Sequence, residues 1–143
     1  MVLTMNLNSQ KINNSKKSIL ARGCDLVLSL QASESIPPLV GNPKYVPTTN
    51  DEEFIEKLKS QEWSVIFFAP GACRFSNAKM QIPGGNSETQ GWTLEDYKEL
   101  VHKYQGDSVR IVETTEERRA VELLREALEF APVVNDSTPR VAK

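Results

Sequence analysis

Apolar and polar positions alternate along this chain in blocks whose periods differ. The sharpest block is Val65 to Ala69, an unbroken apolar run of β-branched and aromatic residues that Pro70 and Gly71 close. Such a run predicts a strand buried on both faces. Ser108 to Glu113, carrying Val109, Ile111 and Val112, predicts a second strand. Asp25 to Leu30 is too short for periodicity to separate a strand from a helical turn. Between Ser33 and Thr49 the chain is broken by Pro37, Pro38, Gly41, Pro43 and Pro47. That spacing predicts a loop or extended strap, with Lys44 to Val46 as a candidate edge strand.

Helical periodicity recurs three times. Phe54, Ile55 and Leu58 make one apolar face, preceded by Thr49 and Asn50 as N-caps and by Glu52 and Glu53 at capping-box spacing. Leu94, Tyr97, Leu100, Val101 and Tyr104 form a second stripe, capped by Thr93 with Asp96 and closed by Gly106. Val121, Leu124 and Leu128 form a third, for which Thr114 with Glu117 offers a cap. Phe130-Ala131-Pro132 ends it, and Val133-Val134 is a candidate entry to a further strand. The two firm strands are joined through a helix, which predicts a right-handed parallel crossover in an α/β layered domain. Residues 1–32 read as an N-terminal extension, 33–134 as the domain and 135–143 as a polar C-terminal tail.

Composition narrows the function classes. The chain has 143 residues, 39% of them hydrophobic and 25% charged, which fits one domain with a core of its own. A net charge of −2 gives no basic footprint for nucleic acid. No apolar run reaches the roughly 20 residues of a membrane helix. Cys24 and Cys73 make no disulfide framework, and with a single His no zinc or other metal site is expected. No cofactor motif is present. The segment from Met1 to Cys24 is basic, through Lys11, Lys16, Lys17 and Arg22, and free of acidic residues. It reads as a tail or as an organellar transit peptide, without the apolar centre of a secretory signal. The expected compartment is cytoplasmic or organellar, mitochondrion or chloroplast.

Chemistry is expected just past the carboxyl end of the Val65 strand, where open α/β sheets hold their ligands. There Cys73 and Ser76 have the spacing of a monothiol Cys-x-x-Ser site. A cysteine at a helix N-terminus is stabilised as thiolate, and Arg74 adds positive charge beside it. Such a thiolate attacks a disulfide sulfur, but Ser76 has no sulfur with which to resolve the mixed disulfide. Cys24 would serve only if the extension folds back over the site. The loop Pro83-Gly84-Gly85-Asn86 lacks the Gly-Lys-Ser/Thr of a phosphate loop and reads as a turn. Trp92, at the far edge of that loop, reads either as a partner contact or as packing at a helix start.

From Pro47 to Val134 the order of residues resembles the thioredoxin-like superfamily. The helix from Phe54, the central strand ending Ala69-Pro70, the Cys73–Ser76 segment, Lys79-Met80 with Pro83, and Tyr104-Gln105-Gly106 before the next strand carry the likeness. The resemblance implies a layered sheet with helices on both faces, and a cis-proline beside the active site, for which Pro132 is the matching residue. Few residues follow Pro132, so the closing hairpin and last helix of the family are expected to be trimmed, or the sheet completed from the N-terminal part. The family's Trp-Cys-Gly-Pro-Cys is absent. The resemblance therefore implies a thioredoxin-like module without dithiol chemistry that binds a protein partner or serves in assembly, through Trp92, Asn86 and Pro132. The alternative is a monothiol oxidoreductase with Cys73 as nucleophile, Arg74 and Ser76 supporting its thiolate, and Pro132 shaping the substrate groove.

Overall fold

The computed structural model describes residues 13–134. The C-terminal tail, 135–143, and the first half of the Met1–Cys24 segment, 1–12, lie outside the described residues. The elements run β1 (Ser18–Arg22), α1 (Leu26–Ser35), a 3-10 turn (Pro37–Leu39), β2 (Lys44–Thr48), α2 (Asp51–Ser60), β3 (Val65–Phe68), α3 (Pro70–Asn77), α4 (Leu94–Gln105), β4 (Arg110–Glu113) and α5 (Glu117–Phe130). The strands form one four-stranded sheet in the order β2-β1-β3-β4. Every pairing is parallel. The domain is therefore α/β, with the β3-to-β4 crossover carried by helices as the sequence predicts.

Strand β3 is buried along its whole length. Its alternate side chains enter two separate cores, as the pleat requires. Ile66 and Phe68, with Leu20 of β1, pack against Phe54 and Leu58 of α2 and Tyr97 and Val101 of α4. Val65 and Phe67, with Ile19 and Ala21, pack against Ala120, Leu124 and Leu128 of α5. Helices thus cover both faces, which is the condition under which an all-parallel sheet is stable.

One boundary is corrected. Residues 18–22, placed in the N-terminal extension by the sequence reading, form the interior strand β1 between β2 and β3. The signal was masked because Ile19-Leu20-Ala21 is short and Arg22 reads as a surface residue. Arg22 is in fact fully buried, because Asp51 neutralises it. The sheet is completed from the N-terminal part, and no closing hairpin occurs among the described residues. Asp25–Leu30 resolves as the start of helix α1, with the Asp25 side chain accepting from the Leu28 N–H at 3.0 Å as its N-cap. The edge strand expected from Lys44 to Val46 forms as β2 and runs two residues further, to Thr48.

The caps on two helices form as read. Asn50 accepts from the Glu53 N–H at 2.8 Å, and Thr93 with Asp96 closes a capping box. Gly106, at φ +83°, ends α4. Thr114 instead accepts from the Glu116 N–H at 3.0 Å, and α5 begins only at Glu117. Val133-Val134 enters no strand. Val134 donates its N–H to the Lys16 carbonyl at 3.2 Å, which ties the end of the domain to the residues before β1.

Candidate functional site

The order β2-β1-β3-β4 sends the connection from β1 one way across the sheet and that from β3 the other. Between their carboxyl ends lies the topological switch point, where doubly wound sheets open a crevice. Gly23-Cys24-Asp25 leaves β1 on one side of it and Ala69-Pro70-Gly71 leaves β3 on the other. A Cβ at Gly71 would lie 2.6 Å from the Cys24 sulfur, so glycine is what lets the two turns meet. A groove of about 320 Å³ runs from this junction between α1 and α5, walled by Leu28, Ala32, Tyr45, Phe67, Ala120 and Val121.

The structure separates the residues of the monothiol reading. Pro70 occupies the first helical position, where its missing N–H costs nothing, and so α3 starts earlier than a Cys-x-x-Ser site needs. The Cys73 N–H is already bonded to the Ala69 carbonyl at 3.0 Å and is not a free helix-terminal donor. Its thiol is 3% exposed, packs in the α2/α4 core and donates to the Phe68 carbonyl at 3.2 Å. Burial pushes that thiol up to about 11, against smaller lowering effects from the Thr114 backbone, Lys98 and Arg74. Ser76 is engaged elsewhere: its hydroxyl accepts from the Leu94 N–H at 3.0 Å and anchors the start of α4. Arg74 is exposed and donates to the Thr115 carbonyl at 3.0 Å. Cys24, half-buried on the groove side, is also a free thiol whose pKa burial raises.

The binding residues are likewise dispersed. Pro132 cannot shape a groove at Cys73: its carbonyl accepts from Ser64 at 2.6 Å, at the amino end of β3, whereas Cys73 lies beyond the carboxyl end. Its peptide bond is trans, no cis bond occurring among the described residues. Asn86 spends its side-chain oxygen on the N–H groups of Glu88 and Thr89, at 2.9 and 3.0 Å, folding the loop upon itself. Trp92 is half-buried edge-on against Tyr97, with ring centroids 5.1 Å apart, which is the packing role. No group of acidic, His or Cys residues able to hold a metal is found among the described residues.

Two features escaped sequence reasoning. The first is a buried polar cluster at the carboxyl end of β1. Arg22 donates from Nε to Asp51 at 2.9 Å and from Nη2 to the Pro83 carbonyl at 2.8 Å. Asp51 accepts from the Tyr97 hydroxyl at 2.6 Å. Together they clamp the loop between α3 and α4 onto the sheet. Long-range pairings of this kind leave no periodic trace in a sequence.

The second is α1. None of its residues is buried, and Leu26, Val27, Leu28 and Leu30 are 61, 62, 53 and 52% exposed. Leu39, just beyond, is also exposed. The signal was present in Leu26-Val27-Leu28, but an apolar run is ordinarily assigned to a core.

The chain matches no family model, no curated protein and no solved structure.

Proposed function

We propose that this protein is a non-catalytic binding module whose working surface is the exposed apolar face of α1, and that its occupant is an apolar face of another protein. The observation that carries this reading is the exposure of Leu26, Val27, Leu28 and Leu30 together on one helix. Contiguous exposed apolar surface of this kind marks interaction sites. The helix has no Lys or Arg, and its only charged side chain is Glu34. A membrane-surface helix needs a basic polar face, so a protein partner fits better than a lipid surface.

The monothiol alternative requires a thiolate at Cys73, and burial opposes one. A thioredoxin-like kinship would rest on the segment from Pro47 to Val134. The parallel seat of β1 beside β3 favours a doubly wound sheet instead.

Affinity purification of the full chain tests the reading. Leu26→Ser with Leu30→Ser should remove the specifically recovered partner, while Cys73→Ala should retain it. Loss with Cys73→Ala and retention with the serine pair would overturn it.

A further inference from the structure

The two edges of the sheet differ. Strand β2 ends it on one side and β4 on the other. In β2 the Lys44 N–H donates to the Lys17 carbonyl, and the Thr48 carbonyl accepts from the Gly23 N–H. Backbone groups alternate in direction along a strand, so Tyr45 and Pro47 turn theirs to the free edge. Pro47 has no N–H to offer there, and a proline so placed blocks a further strand. In β4 the Arg110 N–H donates to the Ser64 carbonyl at 3.1 Å, so Arg110 and Val112 face β3. Ile111 and Glu113 turn their N–H and carbonyl groups outward, where no described element pairs with them. No proline guards this edge.

A second groove, of about 450 Å³, runs between β4 and α5 beside that edge. Phe130 on its wall is apolar yet 65% exposed. Arg110 lies over the Phe130 ring, 5.9 Å from its centre. Glu126 also lines the groove. Neither Arg110 nor Glu126 is in an ion pair among the described residues. Helix α5 runs back toward the amino end of β4. Four helical residues rise about 6 Å and two strand residues about 6.6 Å. With Phe130 beside Arg110, Glu126 therefore stands level with Val112.

We propose that the free edge of β4 pairs antiparallel with β4 of a second copy of this chain, across a two-fold axis, to make one continuous sheet. Strand addition of this kind draws its affinity from main-chain hydrogen bonds. Two registers let the outward groups meet, one centred on Ile111 and one on Val112. The second sets Ile111 against Glu113. The first sets Ile111 against Ile111, with no like charges directly opposite, and brings Arg110 opposite Val112, level with Glu126 of the second copy. The two-fold axis makes that charge match twice, which is what selects a second copy as the occupant. Pro47 blocks the head-to-tail alternative of β4 on β2, so the pairing closes as a dimer instead of growing into a fibre. The edge lies apart from the α1 face.

The test uses the full chain. Sedimentation across a dilution series should show a dimer that dissociates to monomer. Residue-resolved hydrogen exchange should find the Ile111 and Glu113 amides slow in the dimer and fast in the monomer, with Arg110 and Val112 slow in both. Glu126→Arg should weaken the dimer about tenfold while keeping the melting temperature, and adding Arg110→Glu should restore it. Leu26→Ser with Leu30→Ser should leave it unchanged. A monomer at every concentration overturns the proposal and leaves the edge to another protein or to solvent. So does a dimer whose Ile111 and Glu113 amides stay fast, or one that the charge swap fails to restore. Loss of the dimer in the serine pair would overturn it too, by placing the contact on α1.

Discussion

Arg22 and Asp51 form an ion pair with both side chains at 0% exposure, their closest nitrogen and oxygen 2.8 Å apart. The pair joins β1 to the first turn of α2, and through the Pro83 carbonyl it reaches the loop between α3 and α4. Removing one partner strands the other as an uncompensated buried charge, at a cost of about 3–5 kcal/mol. Asp51→Ala and Arg22→Met should each lose this much in urea denaturation. Arg22→Met with Asp51→Leu should lose less than either alone, since no charge is left buried. A double variant that loses the sum of the singles would show that the two residues act independently.

Gly84 marks the point where that loop docks. It sits at φ +90°, and a Cβ there would lie 2.3 Å from the Thr49 carbonyl oxygen. The Asp51 N–H donates to its carbonyl at 2.8 Å, so the backbone cannot retreat without losing a bond. Gly84→Ala should destabilise by about 2–3 kcal/mol, from backbone strain and the close approach together. Gly91→Ala, also at positive φ but with open space around the new methyl, should cost less. Thermal melts of the two variants compare them directly, and equal losses would mean that the contact with Thr49 is not tight.

Cys73 gives a pH dependence of known sign. Burial raises its thiol from about 9 to about 11, so the folded state holds this proton more tightly than the unfolded chain does. The stability it contributes is complete below about pH 9 and is lost as pH rises through about 11. Stability measured across that window should fall more steeply in the wild type than in Cys73→Ala. In a Cys24→Ser background, the folded protein should react with iodoacetamide at pH 8 far more slowly than after unfolding. Equal slopes in the two proteins, or rapid alkylation, would show an exposed thiol.

Legibility in the sequence followed the range of the forces involved. Local signals were readable: the Val65–Phe68 run, the Asn50 and Thr93 caps and the Gly106 terminus all stand where the residues place them. Placing Cys73 after a buried strand was also correct, but its orientation was not readable. Pro70 shifts the helix start, and with it which way the sulfur turns. Strand β1 stayed hidden because Arg22 is buried by a partner far along the chain. Tyr45 and the apolar walls around it come from four separate elements, so no stretch of sequence carried the groove. The exposed face of α1 was hidden for the opposite reason, since its residues resemble core residues.

Hydrogen exchange of the free and partner-bound full chain tests the central claim most directly. Binding through α1 predicts slowed amide exchange across residues 26–39, with the α3 start and the 84–92 loop unchanged. Unchanged exchange at 26–39 with protection appearing around Cys73, or at Asn86 to Trp92, would contradict it.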